Sequence, residues 1–286
     1  MTDILKGAPL VDKLCKELIA KVEELSKQNI KPCLAIVRVG AKPNDISYEN
    51  TILKRCDKIG VLAKQVVLAD DIPADDFYAE LEKLNEDSSI HGILMFRPLP
   101  AHIDGDKARN IIAASKDVDG STDASLTGIF TDSEVGFPPC TAQAAMEILD
   151  FYGIEISGKN AVVLGRSLVI GKPVAMMLLR RNASVTICHS RTNNADEISR
   201  SADILIACTG RPENVGPKYV NKNQCIIDVG VSYSEAKQKL CGDVDYDAVS
   251  DKVASITPVP GGVGGVTSTI LVKHLVEAAA RQACSR

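Results

Sequence analysis

The stretch AVVLGRSLVIGKP, residues 161–173, decides the fold of this chain. Its four leading apolar residues predict a buried parallel strand, and Gly165 opens the turn that follows. Gly171 predicts a close approach of two backbone segments, and Pro173 suits the first turn of a helix. Such a strand, glycine turn and helix place backbone N–H groups where they can bind a pyrophosphate. The spacing is not G-x-G-x-x-G, so an ordinary strand-to-helix turn stays the alternative.

The second predicted strand, ASVTICHS at 183–190, ends where dinucleotide-binding folds contact the adenosine ribose. Enzymes that use NAD usually carry Asp or Glu there, to accept a hydrogen bond from the 2′-hydroxyl. Here the strand ends in HSRT, residues 189–192, and the preceding turn carries Arg166. A hydroxyl such as that of Ser190 suits a 2′-phosphate when guanidinium groups are nearby, because Arg can bind phosphate with paired hydrogen bonds. The sequence therefore predicts NADP as cofactor, with a solvated loop charge as the alternative for Arg191.

Composition and charge exclude several classes of protein. A length of 286 residues suffices for two domains, each with its own core. The hydrophobic fraction of 45% and the charged fraction of 24% are typical of a soluble globular protein. A net charge of -4, with 4% aromatic residues and no basic stripe, indicates that nucleic acid is not a partner. No apolar run reaches membrane-spanning length, so no membrane partner is expected.

Nine cysteines are scattered singly, without a C-x-x-C pair. This pattern predicts reduced thiols in the protein core, as in a cytoplasmic protein. The first residues lack the basic-then-apolar order of a signal peptide, which favours the same location. Four widely spaced histidines offer no metal-site spacing, so no metal is expected.

Helical and strand patterns alternate along both halves of the chain, which predicts parallel βαβ units and an α/β fold. In the first half, helices are predicted at 10–28, 47–59 and 73–87, and strands at 33–40, 65–70 and 92–100. The polar, proline-containing stretch 116–139 is interpreted as the junction between two domains. In the second half, strands are predicted at 161–164, 183–190, 204–208 and 225–230, and helices at 142–152, 174–181 and 268–283. The glycine-rich segment 256–267 is predicted to let backbone approach a ligand closely.

Five motifs make the chain resemble the bifunctional methylenetetrahydrofolate dehydrogenase/cyclohydrolase family over nearly its whole length. They are KDVDG at 116–120, PPCTAQA at 138–144, GRSLVIGKP at 165–173, HSRT at 189–192 and PVPGGVGGVT at 258–267. The resemblance implies an α/β fold of two domains that flank a cleft. Residues 1–120 would form the folate-binding and catalytic domain, with a C-terminal helix at about 268–286 packing back on it, and residues 121–267 a Rossmann-like, parallel-sheet NADP-binding domain. It also implies tetrahydrofolate derivatives as substrates and a homodimer.

The resemblance assigns site residues by position. Tyr48 and Asp119 match the folate-site tyrosine and aspartate of the family, and we predict both as catalytic and substrate-binding residues. The glycine loop that lies beside the substrate in the family matches Pro260, Gly261 and Gly262. The NADP-binding residues of the family match Gly165, Arg166, Ser167, Ser190 and Val231, to which our interpretation of the second strand adds Arg191.

Two positions depart from the family pattern. The family expects a lysine four residues after Tyr48, where this chain has Ile52, and a glutamine where it has Phe96. Lys54 is a poor substitute, because it lies about 240° around the helix axis from Tyr48, whereas the missing lysine would lie within about 40°. Arg97 is expected on the opposite strand face from Phe96. The paired replacement predicts loss of the function that the lysine and the glutamine share.

Of the two activities of the family, hydrolysis is the one that this replacement affects. Dehydrogenation moves a hydride from 5,10-methylenetetrahydrofolate to the nicotinamide, and the protein mainly positions the two ligands. Hydrolysis of the methenyl cation needs a proton-transfer group, whose help is typically worth ~10²–10⁴-fold in rate. We therefore expect an NADP-dependent dehydrogenase with weak or absent cyclohydrolase activity. Three alternatives stay open: Lys54 fills the role, another group keeps the enzyme fully bifunctional, or the chain is a non-catalytic folate- or nucleotide-binding homologue.

Overall fold

The computed structural model describes residues 1–235 and 237–284, and their contacts divide the chain into two units. The six-stranded unit contains Met1–Asp12 and Thr141–Thr267, and the three-stranded unit contains Lys13–Cys140 and the chain from Ser268 onward. Each unit consists of a parallel sheet with helices, so the predicted α/β class is confirmed.

The strands are β1 (Asp3–Ile4), β2 (Cys33–Val39), β3 (Leu62–Leu68), β4 (Gly92–Met95), β5 (Asn160–Leu164), β6 (Ser184–Cys188), β7 (Ile204–Ala207), β8 (Cys225–Asp228), β9 (Ser232–Ser234), β10 (Lys239–Cys241) and β11 (Ser255–Ile256). The helices are α1 (Gly7–Lys27), α2 (Pro43–Ile59), α3 (Ala74–Glu86), α4 (Gly105–Ile111), α5 (Asp123–Thr131), α6 (Cys140–Phe151), α7 (Gly171–Arg180), α8 (Ala195–Arg200), α9 (Tyr246–Val249) and α10 (Val263–Cys284). A short 3-10 turn covers Pro217–Tyr219.

All neighbouring strands of the six-stranded sheet run parallel, in the order β1-β11-β8-β7-β5-β6. Strands β5, β7 and β8 are apolar and almost entirely buried, as is typical of parallel sheets. The chain leaves β5 for β6 on one side and then crosses to β7 on the other. The carboxyl end of β5 is therefore the topological switch point of the sheet. The antiparallel pair β9–β10 lies outside this sheet.

Strand β2 is the centre of the three-stranded sheet, whose order β3-β2-β4 is also parallel. Every residue of β2 is buried. Helix α3 contributes Phe77, Leu81 and Leu84 to the core that contains Ala35 and Val37 of this strand. Burying a large apolar side chain contributes roughly 1.5–3 kcal/mol to stability. This core fixes strand β2, whose Arg38 contacts helix α2.

A buried ion pair fixes helix α2 on this sheet. Arg38 of β2 and Glu49 of α2 are 8% and 2% exposed, and Nε of Arg38 donates to Oε2 of Glu49 at 2.9 Å. Arg38 also donates to the carbonyl oxygen of Gly40, and the Gln65 amide of β3 donates to the other Glu49 oxygen at 3.0 Å. A buried charge is tolerated when it is paired and hydrogen-bonded in this way. The pair therefore sets the position of α2, which carries Tyr48.

Among the element boundaries that differ from those predicted, the end of β4 and the start of α2 each have a local cause. Strand β4 ends at Met95, short of the predicted residue 100, because the prolines that follow from Pro98 cannot donate to a sheet ladder. Helix α2 begins earlier than predicted, at Pro43, since proline suits the first helical turn. Phe96 and Arg97 therefore lie beyond the strand, and the prediction that they occupy opposite strand faces was wrong.

Some of the described elements lie, wholly or in part, where the sequence pattern predicted none. Helix α5 lies inside the segment 116–139, and its cap Thr122 accepts the N–H of Ser125 at 3.1 Å. Helix α10 begins at Val263, so the C-terminal part of the glycine-rich segment is helical rather than loop. Strand β1 exists because it pairs with β11.

The burial of the thiols agrees with the prediction from the sequence. The free cysteines include seven buried ones, which confirms the prediction of core thiols: Cys15, Cys33, Cys56, Cys140, Cys188, Cys225 and Cys241. Within the part of the chain that the structure describes, no helix combines the length and the apolar character needed to cross a membrane.

We expect Glu49→Ala to lower the free energy of unfolding by ~3–5 kcal/mol, because it leaves the buried Arg38 guanidinium without its carboxylate. Urea denaturation followed by circular dichroism measures this change. Glu24→Ala, at an exposed position of α1, is the control, and its expected effect is below about 0.5 kcal/mol. Equal stability of the two variants would show that the ion pair does not hold α2.

Candidate functional site

A groove of about 420 Å³ lies at the carboxyl edge of the six-stranded sheet, beside the end of β5. Its walls are the segments that follow three adjacent strands. The residues that line it include Gly165, Arg166 and Ser167 after β5, His189, Ser190 and Thr192 after β6, and Thr209 and Arg211 after β7. In open α/β sheets, ligands bind at this edge and at the switch point.

Two glycines let the turn after β5 pass close to its neighbours. Gly165 has φ +136°, and a Cβ there would overlap the carbonyl oxygen of Cys208. A Cβ at Gly171 would overlap the carbonyl oxygen of Gly165, which confirms the predicted close approach. At the start of α7, Oγ of Ser167 accepts the N–H groups of Ile170 at 3.1 Å and Gly171 at 3.4 Å. The Ser167 hydroxyl therefore holds the turn, and its own proton can still be donated to a ligand.

A tight turn follows β6. The N–H of His189 donates to Oγ1 of Thr192 at 2.9 Å, and the N–H of Thr192 donates to the carbonyl oxygen of His189 at 2.8 Å. Ser190, at the tip of this turn, lines the groove. Arg191 is exposed and is not among the described lining residues, so its contact with the cofactor stays a prediction.

A buried carboxylate holds the wall that follows β7. Asp243 is fully buried and accepts the N–H groups of Thr209 and Gly210, the second at 3.0 Å. The neighbouring Asp228 accepts the N–H of Asp243 at 3.0 Å, and burial raises the pKa of Asp228 to about 7. These bonds orient the segment that brings Arg211 to the groove. The sequence analysis missed Arg211, although its place directly after a strand next to β5 was a usable signal.

The groove carries positive charge. Arg166 and Arg211 both line it, and none of the described lining residues is acidic. Helix α7 begins close to the same turn, so the positive end of its dipole lies near the groove. Guanidinium groups and helix N-termini both bind phosphate well. The groove therefore suits a ligand that carries phosphate groups.

Other predicted residues of this unit lie outside the groove. Val231 is 58% exposed and is not among the described lining residues. Gly261 has φ +107°, and its carbonyl oxygen accepts the N–H of Gly7 at 2.8 Å, so the loop with Pro260 and Gly262 is tied to the start of α1. The contact of this loop with substrate, and that of Val231 with cofactor, stay predictions.

The three-stranded unit brings together Tyr48, Phe96, Arg97 and Asp119. The rings of Tyr48 on α2 and Phe96 after β4 have centroids 5.6 Å apart, at 34° to each other. Phe96 is buried, and its N–H donates to the carbonyl oxygen of Val37 at 2.9 Å, so it forms a fixed support for the half-exposed tyrosine. Burial, and then the charge of Asp119, raise the pKa of the Tyr48 hydroxyl. This phenol is therefore a hydrogen-bond donor at neutral pH.

Asp119 has a strongly altered acidity. Burial, and then the charge of Asp117, raise the pKa of Asp119 to about 7, while the Arg97 guanidinium and a hydrogen bond from the Cys140 thiol act in the opposite direction. Nη2 of Arg97 lies 3.8 Å from Oδ2 of Asp119. Asp117 is fully buried and accepts the N–H of Thr122 at 2.8 Å, so it fixes the turn that carries Asp119. The Asp119 carboxyl group can therefore either accept or donate a hydrogen bond near neutral pH.

The two positions that depart from the family pattern are buried and apolar. Ile52 is 0% exposed, one helical turn after Tyr48. Lys54 lies at an exposed position of α2. Lys116 is buried, and its Nζ donates to two backbone carbonyl oxygens at 3.0 and 2.7 Å. The Lys116 ammonium is thus bonded to backbone, and that Lys54 does not fill the role of the missing lysine stays a prediction.

Three carboxylates elsewhere in the six-stranded unit lie close enough to hold a metal ion: Glu213, Asp245 and Asp247. The Lys237 ammonium lies among them, ion-paired with Glu213 and 3.0 Å from Asp247. A lysine thus already partly neutralises this cluster. The sequence carried no signal for it, because Glu213 lies in a different segment from Asp245 and Asp247.

Two domain models of one protein family match this chain. The catalytic domain of tetrahydrofolate dehydrogenase/cyclohydrolase matches residues 5–119, and the NAD(P)-binding domain of the same family matches residues 139–283. The bifunctional protein FolD 1 of Desulfitobacterium hafniense is 48% identical over 282 residues, which cover 99% of this chain and 100% of that protein.

Solved structures agree with these matches. The bifunctional FolD methylenetetrahydrofolate dehydrogenase/cyclohydrolase of Campylobacter jejuni has a TM-score of 0.95 and 36% identity, covering 98% of this chain and 99% of that chain. The Trypanosoma brucei dehydrogenase-cyclohydrolase, in complex with NADP and an inhibitor, has a TM-score of 0.91 and 32% identity, covering 99% and 98%. The predicted family, fold and cofactor class are confirmed. This chain belongs to the tetrahydrofolate dehydrogenase/cyclohydrolase family and contains its NAD(P)-binding domain.

Proposed function

We propose that this chain is an NADP-dependent 5,10-methylenetetrahydrofolate dehydrogenase whose methenyltetrahydrofolate cyclohydrolase activity is weak or absent. The observation that carries the proposal is the pair Ile52 and Phe96, which are 0% and 7% exposed where the family has a lysine and a glutamine. We further propose that the three-stranded unit binds folate, that the six-stranded unit binds NADP, and that the chain forms a homodimer, as the family resemblance implies.

For hydride transfer the protein has to position the two ligands and does not have to transfer a proton. Bound NADP supplies the acceptor for the hydride. In this proposal Tyr48 lines the folate with its half-exposed ring, and Phe96 supports that ring from behind. Asp119 accepts hydrogen bonds from the amino-pyrimidine edge of the pterin. These residues hold the methylene carbon in place, which is what the dehydrogenase step needs.

Hydrolysis needs a group that can move a proton, and the residues around Asp119 offer no obvious replacement for a lysine. Lys54 is exposed on α2, and Lys116 is bonded to backbone carbonyl oxygens. Arg97 is close to Asp119, but a guanidinium stays protonated at any working pH. Losing general acid–base help typically costs ~10²–10⁴-fold in rate. The proposed weakness of the cyclohydrolase follows from this loss.

A second candidate is the fully bifunctional enzyme, with Asp119 as the proton-transfer group. The observation that favours it is the pKa of Asp119, raised to about 7 by burial and by Asp117, because such a group can both take up and release a proton near neutral pH. Relatives such as FolD 1 of Desulfitobacterium hafniense are named bifunctional proteins. In this case methenyl hydrolysis would depend on enzyme concentration and would have a pH midpoint near that pKa.

The choice of NADP rests on the groove. Arg166 and Ser190 line it from two adjacent strand ends, and no acidic residue is among the described lining residues to bind a ribose 2′-hydroxyl. A guanidinium with a hydroxyl is suited to the 2′-phosphate that distinguishes NADP from NAD.

We expect Arg166→Ala to raise the Kd for NADP by ~10–100-fold and to leave the Kd for NAD nearly unchanged, because a hydrogen bond to a charged group is worth ~1.5–3 kcal/mol. Isothermal titration calorimetry with both dinucleotides measures the difference. Arg200→Ala is the matched control, since Arg200 is exposed at the end of α8 and outside the described lining of the groove, and we expect a change below about threefold. Equal losses for NADP and NAD in Arg166→Ala would contradict the assignment.

We expect methenyltetrahydrofolate to accumulate during the dehydrogenase reaction of the unmutated protein and to decay at nearly the buffer rate. The reason is that hydride transfer survives the replacement of the lysine and glutamine, whereas proton transfer does not. The measurement follows the absorbance bands of reduced nicotinamide and of methenylfolate together. Rapid loss of the methenyl band in proportion to enzyme would support the second candidate. Absence of any turnover would leave only the non-catalytic homologue.

The double change Ile52→Lys with Phe96→Gln tests the cause of this loss. We expect it to recover part of the hydrolysis, and each single change to recover little, because the lysine needs a partner to orient it. Ile52 is fully buried, so the thermal stability of each variant is measured in parallel. Ile52→Met keeps the site apolar and is the control that should recover no hydrolysis.

A further inference from the structure

Asp119 is the carboxylate that we propose binds folate, and the cation that pairs with it is the guanidinium of Arg97. The family pattern does not assign Arg97 a role. Nη2 of Arg97 is 3.8 Å from Oδ2 of Asp119, and the two side chains are 34% and 30% exposed. At this distance the two groups form an ion pair, but they are too far apart for a direct hydrogen bond. Arg97 therefore acts on Asp119 through its charge. The backbone that carries Arg97 is held by the preceding residue, Phe96, whose N–H donates to β2.

Burial and the charge of Asp117 disfavour the charge of Asp119, and the hydrogen bond from the Cys140 thiol favours it. Asp117 lies two residues before it and is fully buried, and the Asp117 charge opposes ionisation of Asp119. The other titratable groups that face this segment are Tyr48 from α2, Cys140 at the start of α6 and His274 from α10, whose Nδ1 is 2.9 Å from the carbonyl oxygen of Val118 and 3.7 Å from Sγ of Cys140. Ile52 supplies no charge. Arg97 is therefore the charged group that offsets the Asp117 carboxylate, together with the hydrogen bond from the Cys140 thiol.

The protonation state of Asp119 matters for the ligand that it would hold. The amino-pyrimidine edge of a pterin presents two adjacent N–H donors. An ionised carboxylate accepts from both, whereas a protonated carboxyl group has one oxygen occupied by its own proton. A cation beside the carboxylate favours the ionised form and therefore the doubly accepting one.

We propose that Arg97 is a positioning residue of the folate site, where its guanidinium keeps the Asp119 carboxylate ionised, so that it can act as the double acceptor for the pterin edge. This inference rests on the proposed function, because it takes folate as the ligand of Asp119. In this chain the arginine at 97 accompanies the apolar pair Ile52 and Phe96, which departs from the family pattern.

The test compares Arg97→Leu, Arg97→Lys and the unmutated protein in the NADP-dependent dehydrogenase reaction between about pH 6 and 9. Removing the cation raises the pKa of Asp119. When the pH is lowered, the ionised carboxylate, and the folate binding that needs it, are therefore lost at a higher pH than in the unmutated protein. We expect the acid midpoint of kcat/KM for folate to rise by about one pH unit in Arg97→Leu, with KM about fivefold higher near neutral pH and almost unchanged at the alkaline end. The kcat at saturating folate should change less than about twofold.

Arg97→Lys should keep the midpoint of the unmutated protein, because the contact is a charge pair rather than a bidentate fork. Arg181→Leu, which breaks the exposed ion pair with Asp150 at 2.8 Å, is the matched control and should leave the pH profile unchanged. An unchanged midpoint in Arg97→Leu, or a KM that rises equally at every pH, would overturn the proposal.

An NMR titration of the Asp119 carboxyl group in the ligand-free proteins separates this inference from the proposed function. If the unmutated protein has no dehydrogenase activity, the proposed function fails, and the pairing with folate fails with it. The titration still decides whether Arg97 controls the ionisation of Asp119: a midpoint about one pH unit higher in Arg97→Leu supports that control, and an equal midpoint refutes it.

Discussion

Parallel pairing of strands is the constraint on which both candidate sites depend. Hydrogen bonding between parallel strands forces their carboxyl ends to one edge of a sheet, so the residues that follow neighbouring strands are brought together there. In the six-stranded sheet this edge receives Arg166, Ser190 and Arg211 after β5, β6 and β7. In the three-stranded sheet, Phe96 and Arg97 follow β4 in the same way. Each site is built from side chains that the sheet, rather than the sequence order, makes neighbours.

Buried carboxylates then hold the segments that leave these edges. Glu49 pairs with Arg38 and fixes the helix that carries Tyr48. Asp243 binds two consecutive N–H groups in the segment before Arg211. A buried ionisable group is costly unless it is fully bonded, so a backbone that satisfies it is held in one conformation. The same chemistry that stabilises the fold therefore gives the two sites their rigidity.

The two sites differ in charge, and this difference matches the different roles that we propose for them. The groove has two arginines and no acidic residue among its described lining, which suits a phosphate-bearing ligand that only has to be held. The other site joins a tyrosine, an arginine and Asp119, whose pKa is raised to about 7 by burial and by Asp117. Both sites offer positioning, which is what the dehydrogenation that we propose needs from the protein. The raised pKa of Asp119 also suits proton transfer, on which hydrolysis would depend.

The sequence by itself determined the α/β alternation, the strand and glycine turn at 161–173, and the apolar identity of Ile52 and Phe96, because these are properties of short segments or of single positions. Only the tertiary structure decided that Arg97 reaches Asp119, that Arg211 lines the groove and that β1 exists at all. Each of these depends on where a strand ends or on which strands pair. Pairing joins segments far apart in the chain, so no local pattern contains it.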